Sequence, residues 1–136
     1  MRIARLFCLS FLFFCGQSLA ADAARKPPAP VVTTLMTQKL ENAPGKEALM
    51  LTVEYPPGGA DPVHRHDAEA FVYVLEGSIV MGVAGGKPVT LTQGQTFHEG
   101  PNDVHTIGRN ASDSKPAKFV VLLVKDIGKP ALIPVD

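Results

Sequence analysis

Apolar and polar residues alternate along residues 48–55 of the chain. The apolar positions recur at every second residue, at Leu49, Leu51, Val53 and Tyr55. Thr52 and Glu54 occupy positions between them. In an extended chain, a period of two places these two sets on opposite faces. The pattern therefore predicts a β-strand with one buried face.

Further apolar segments follow at short intervals, separated by Gly, Pro or Asn. They are VVTTLMTQKL, AFVYVLE, SIVMGV, PVTLT, QGQTF and KFVVLLVKD. No window has a sustained helical period, and short strands at this spacing are typical of an all-β sandwich or barrel. Residues 71–75 and 119–124 are almost continuously apolar, so we expect both faces of those strands to be buried. We assign residues 31–136 to one β domain.

The first twenty residues have a different character. Arg2 and Arg5 come first, the apolar run LFCLSFLFFC follows, and the small residues Ser18 and Ala20 close the segment. This three-part arrangement is typical of a secretory signal peptide, and the run is short for a membrane span. We therefore predict cleavage after Ala20 and a secreted or periplasmic protein. The alternative is an uncleaved N-terminal anchor.

Cleavage would leave 116 of the 136 residues, which is enough for one domain with a core. It would remove both cysteines, Cys8 and Cys15, so the fold would need no disulfide. The charge balance would change from 13 basic and 13 acidic residues to 11 and 13, because two arginines lie in the removed segment. Such a chain gives no indication of a nucleic-acid or membrane partner. Residues 21–30, rich in Pro and Ala, predict a flexible leader.

All four histidines lie between residues 64 and 105. Side chains two residues apart in a strand point the same way, so His64 and His66 share a face while Arg65 points to the other. Two imidazoles on one face can bind the same ion at about 2.0–2.1 Å. A third ligand must come from elsewhere in the chain, and His105 is the candidate.

Both histidine segments resemble the two sequence motifs of the cupin superfamily. In the first motif, Gly58, His64, His66 and Gly77 match in spacing. In the second, Gly94 and His105 match, and Asn110 lies one place late. The resemblance covers roughly residues 45–125. It implies a cupin-type double-stranded β-helix, also described as a jelly-roll barrel, that forms a homodimer.

One position departs from the first motif. The family's glutamate would fall at position 70, counted back from Gly77, but this position is Ala70 and Glu69 stands beside it. In a regular strand, Ala70 shares the histidine face and Glu69 points away. Glu69 could act as a metal ligand only if the strand bulged near residues 67–68.

His98 and Glu99 are two further candidates for the site. If this segment is a strand, one of the two side chains must face the barrel interior. His98 is a candidate for an additional ligand or an acid–base group, and Glu99 for a proton-transfer group. The alternative is that each lies at the barrel rim, hydrogen-bonded or solvated.

Three histidine ligands would leave coordination positions open, as in catalytic metal sites. Imidazole ligands suit Fe, Mn, Zn, Ni or Cu, so we predict a divalent transition metal of unspecified identity. The resemblance implies a dioxygenase, decarboxylase, isomerase or lyase acting on a small oxygenated or acidic molecule. The alternative is a non-catalytic cupin that binds a small molecule or a metal, because one fold serves many functions.

Overall fold

The computed structural model describes residues 26–135, and the predicted signal peptide lies outside this range. The described chain forms ten β-strands: β1 (Val31–Lys39), β2 (Lys46–Tyr55), β3 (His64–Arg65), β4 (Ala68–Glu76), β5 (Ser78–Val83), β6 (Val89–Thr92), β7 (Thr96–Glu99), β8 (Val104–Asn110), β9 (Ala117–Asp126) and β10 (Ile133–Pro134). Within this range no helix is long and apolar enough to cross a membrane. The all-β prediction is confirmed.

The strands form two five-stranded sheets, in the orders β1-β2-β9-β4-β7 and β10-β3-β8-β5-β6. All the strand pairs are antiparallel. Most neighbours in space are distant in sequence, as in the predicted jelly-roll barrel. The last long strand, β9, lies between β2 and β4, and it pairs with β2 without interruption from Lys46–Asp126 to Tyr55–Ala117.

Inward-facing side chains of the two sheets form one hydrophobic core. Its larger members are Leu51, Val53, Tyr55, Val72, Val74, Ile79, Met81, Leu91, Phe119, Val121 and Leu123. The core includes Leu51, Val53 and Tyr55, three of the four apolar positions that alternate along β2. Burial of each large apolar side chain contributes about 1.5–3 kcal/mol.

The prediction that residues 71–75 are buried on both faces is wrong. Val72 and Val74 are buried, but Phe71 and Tyr73 point out of the barrel and remain 46% and 48% exposed. On the outer face of β9, alternate residues are half-buried rather than buried. A continuous apolar run therefore overstates the burial of these strands in the single chain. The predicted homodimer stays a prediction.

Asn110 anchors the loop that leads into β3. Its buried side-chain amide donates hydrogen bonds to the carbonyls of Pro56 (3.0 Å) and Lys115 (2.8 Å). Its side-chain oxygen accepts a hydrogen bond from the Ser112 backbone N–H at 2.9 Å. The Asn110 backbone N–H also donates to the Gly59 carbonyl at 2.8 Å. These bonds hold the turn a few residues before the first histidine.

Gly77 is the turn at which the chain passes from one sheet to the other. Its φ angle is +71°, and an added Cβ would lie 2.7 Å from the Pro116 carbonyl oxygen. Gly85 has a similar φ of +78°, with nothing within 4 Å of an added Cβ. A substitution at Gly85 would therefore introduce backbone strain alone, whereas the same substitution at Gly77 would add a steric clash.

We expect Gly85→Ala to lower the free energy of unfolding by roughly 1–2 kcal/mol, through left-handed strain alone. Gly77→Ala should lower it by roughly 1–3 kcal/mol more, because the methyl group also displaces the neighbouring backbone. Urea unfolding of both variants beside the parent protein measures the two losses. Equal losses would show that the contact with Pro116 is relieved without cost.

Candidate metal centre

Three imidazoles meet inside the barrel. His64 in β3 lies directly opposite His105 in β8, and His66 follows immediately after β3. One nitrogen of each ring lies within 4.8 Å of the others. The ring centroid of His64 lies 4.8 Å from that of His66 and 4.9 Å from that of His105. The structure therefore brings together the three histidines predicted as ligands.

Backbone carbonyls orient two of these rings. The Nδ1 atom of His64 lies 2.8 Å from the Pro62 carbonyl oxygen, and Nδ1 of His66 contacts the carbonyl oxygen of Ala131. A carbonyl can only accept a hydrogen bond, so Nδ1 carries the proton in each neutral ring. This leaves both Nε2 atoms free to bind an ion. Such partners are typical of metal-binding histidines.

The third ring, His105, is 3% exposed, and its Nε2 atom is buried without a hydrogen-bond partner among residues 26–135. Burial, reinforced by the nearby His64, lowers the pKa of His105 to about 4. Burial also lowers the pKa of His66. Both imidazoles are therefore neutral at pH 7, which is the state that binds a metal.

Glu99 completes the cluster from β7. Its carboxylate oxygens lie 3.4 Å from Nδ1 of His105 and 3.8 Å from Nε2 of His66. The residue is 2% exposed, and Oε2 has no hydrogen-bond partner in the described chain. Burial raises the pKa of Glu99 to about 7, and the nearby carboxyl groups of Asp103 and Asp61 act in the same direction. Of His98 and Glu99, Glu99 is the one that faces the interior.

His98 and Glu69 lie on the outer surface. They contact each other, with His98 Nε2 2.6 Å from Glu69 Oε2, and their side chains are about half exposed. The pairing of β4 with β9 is regular from Ala68 to Val74, so the bulge that would turn Glu69 inward is absent. The structure therefore places neither Glu69 nor His98, the two tentative site residues, beside the histidines, because strand alternation directs both side chains outward.

Comparison with known proteins identifies the family of this chain. Residues 51–123, just over half of the chain, match the sequence profile of the cupin domain family. The chain belongs to the cupin family. No curated protein matches this cupin by sequence.

Solved structures show the same fold. A double-stranded β-helix protein from Klebsiella pneumoniae subsp. pneumoniae MGH 78578 has a TM-score of 0.62 at 17% identity, over 82% of this chain and 90% of that one. A cupin domain from Bordetella pertussis Tohama I has a TM-score of 0.59 at 22% identity, over 74% and 98%. The DMSP lyase DddQ from Ruegeria pomeroyi DSS-3 has a TM-score of 0.62 at 22% identity, over 92% of this chain and 59% of the lyase.

The cupin site contains a second acidic group that the sequence analysis missed. Asp61 lines the cavity, and the buried Tyr55 hydroxyl donates a hydrogen bond to its carboxylate. Burial raises the pKa of Asp61 and, together with the Asp61 charge, that of Tyr55. The only available signal was the position of Asp61, three residues before His64.

Gly108 allows these groups to approach one another. A Cβ at this position would lie 2.9 Å from Asp61 Oδ2, 2.9 Å from His105 Cε1 and 3.0 Å from the Tyr55 hydroxyl. Any side chain here would displace at least one of the three. The absence of a Cβ at Gly108 therefore permits the acidic pair to lie beside the histidines.

A cavity of about 140 Å³ is lined by five ionisable side chains: Asp61, His64, His66, Glu99 and His105. Its other walls are apolar: Val32, Leu51, Val53, Ala70, Val72, Met81, Phe119, Val121, Leu123, Ala131 and Leu132. Imidazoles and carboxylates are ligand types that divalent transition metals bind. Within the described chain two polar atoms, His105 Nε2 and Glu99 Oε2, are buried without the hydrogen-bond partner that buried polar atoms normally have, and a metal ion would take its place. The site therefore fits the predicted metal.

We expect the metal-free Glu99→Gln variant to be more stable than the parent protein at neutral pH. Glu99 has a pKa of about 7 when folded and about 4.3 when unfolded. Between these values the folded state retains a proton that the unfolded chain has lost, so the stability from Glu99 falls as pH rises. The opposite contribution of His105 is common to both proteins.

Urea unfolding of chelator-treated samples between pH 4 and 8 measures this difference. The advantage of the variant should grow from about pH 4.5 to pH 7 and then level off, reaching roughly 3–4 kcal/mol. A difference that does not change with pH would contradict the burial of an ionisable carboxyl group at this position.

Proposed function

We propose that this cupin is a metalloenzyme that binds one divalent transition metal through His64, His66 and His105. Its substrate would be a small oxygenated or acidic molecule with an apolar body. The observation that carries the proposal is the presence of three imidazoles and two acidic side chains in one otherwise apolar cavity. An interior acid–base group is what separates an enzyme from a simple binding site, and this cavity has two.

A bound divalent ion supplies Lewis-acid chemistry, which polarises a substrate oxygen. The remaining functions belong to the chain's own residues. The apolar walls hold the body of the substrate and exclude water. Glu99, with a pKa of about 7, can give or take a proton near neutral pH, and Asp61 offers a second carboxyl group beside the Tyr55 hydroxyl.

Two interior acidic groups favour a lyase or an isomerase among the reaction classes that cupins support. Both reactions remove a proton from one atom of the substrate, and an isomerase returns it to another. The DMSP lyase among the similar structures supports lyase chemistry on this fold, although at 22% identity the likeness covers the fold and not the substrate. A dioxygenase would depend more on the metal and less on these carboxyl groups.

We predict one metal ion per chain in the purified protein and none in the double variant His64→Ala/His105→Ala, because one remaining imidazole binds an ion weakly. His98→Ala is the matched control, since His98 lies outside the barrel and should leave the metal content unchanged. Elemental analysis after expression in medium supplemented with Fe, Mn, Zn, Ni and Cu gives both values. Circular dichroism confirms that each variant is folded.

Equal metal content in the parent and the double variant would contradict the three-histidine site. A protein that takes up no metal from any of the five would instead support the non-catalytic alternative, a cavity that binds a small molecule without turnover.

We also propose that the protein is exported, which rests on residues 1–20 alone. Expression in a bacterial host should release a periplasmic protein that begins at Ala21, as read by N-terminal sequencing. Replacement of Ala20 by Phe should block processing, because signal peptidases require a small residue there. A parent protein that keeps Met1 and stays with the membrane fraction would support the anchor instead.

A further inference from the structure

The inner face of β4 has a small residue where a carboxylate would reach the histidines. Ala70 is 1% exposed and lines the cavity beside the imidazoles. A methyl group can neither bind an ion nor neutralise one. The sequence of β4 therefore leaves the metal site without a charged ligand on this strand.

The neighbouring strand supplies the missing group. In the pairing of β4 with β7, Ala70 lies directly opposite Glu99. Residues that are directly opposite in an antiparallel pair point to the same face, with Cβ atoms about 4.5–5.5 Å apart. The Glu99 side chain therefore extends into the space that a longer residue at position 70 would occupy.

The Glu99 carboxylate lies close to the separation expected of a metal ligand. Two ligand atoms about 2.0–2.2 Å from one ion are about 2.8–3.6 Å apart at angles between 90° and the tetrahedral value. The observed separations from the carboxylate oxygens are 3.4 Å to His105 Nδ1 and 3.8 Å to His66 Nε2. The distance from Glu99 Oε2 to His66 Nε2 lies just beyond this range, so a small rotation of the Glu99 side chain would bring Oε2 within reach of an ion bound by His66 Nε2.

One oxygen of the Glu99 carboxylate is left without a partner in the described part of the chain. Its Oε2 atom is buried and has no hydrogen-bond partner among residues 26–135. The acidic side chains of Asp61 and Asp103 are among the nearby charges. A buried carboxylate beside other carboxylates is stable in its charged form only with a cation, and within the cavity no Lys or Arg side chain provides one.

We propose that Glu99 is the fourth metal ligand of this cupin, delivered from β7 in place of a carboxylate on β4. The inference rests on the proposed metal site and deepens it: a Glu99 carboxylate bound to the metal is no longer free to transfer protons, so only one of the two interior acids keeps that role. Glu99 binds the metal, and Asp61, hydrogen-bonded to Tyr55, remains the group for proton transfer.

The test measures Zn²⁺ affinity by competition with a chelator and follows the visible spectrum of the Co²⁺-loaded protein. Glu99→Gln should weaken Zn²⁺ binding roughly 100-fold and change the Co²⁺ spectrum, while its metal-free stability does not fall. Glu69→Gln is the matched control, since it removes the carboxylate on the outer face and should change neither measurement. Affinity of Glu99→Gln within threefold of the parent would overturn the proposal.

A second pair of variants moves the carboxylate back to β4. Glu99→Ala/Ala70→Glu should recover most of the lost affinity, whereas Glu99→Ala/Ala70→Gln, which has the same shape without the charge, should not. Equal affinities in these two proteins would overturn the claim that a carboxylate serves the site from these facing positions. A parent protein that binds neither Zn²⁺ nor Co²⁺ would overturn the metal site as a whole, so the two failures are distinguishable.

Discussion

The burial of ionisable side chains in an apolar cavity is the constraint on which the site depends. His64, His105 and Glu99 are each no more than 3% exposed. Desolvation disfavours the charged forms of His105 and Glu99, which keeps the His105 imidazole neutral and Glu99 partly protonated near pH 7. The same low polarity makes an unpaired carboxylate costly. A cation among these groups would relieve that cost, so the environment that destabilises the metal-free site favours the metal-bound one.

The strand that carries the first histidine is very short. β3 has two residues, yet its pairing with β8 sets His64 against His105, and its pairing with β10 closes the other side. The loop before β3 is held by the Asn110 amide, and His66 is held by the Ala131 carbonyl. Each histidine is therefore anchored by a contact distant in sequence. The long strands of the other sheet provide the apolar walls and the core.

Sequence reasoning reached the fold and the histidines because both depend on local signals. Period-two alternation predicted the strands, and the His64–His66 spacing together with His105 predicted the ligand set, which the structure brings together. Reasoning from parity was also correct that Glu69 points outward and Ala70 inward. The apolar run at residues 71–75 misled, because Phe71 and Tyr73 cover an outer face that stays accessible in the single chain. Asp61 had no pattern that could reveal it.

The sequence by itself determined the β architecture, the identity of the three histidines that meet in the barrel and the absence of a glutamate at position 70. Alternation and motif spacing are properties of neighbouring residues, so they can be read along the chain. Only the tertiary structure decided which of His98 and Glu99 faces inward, and that Glu99 lies opposite Ala70. It also decided that Asp61 lines the cavity with a hydrogen bond from Tyr55, an arrangement that Gly108 permits. These are pairings between strands far apart in sequence, and their register is set by packing of the whole barrel.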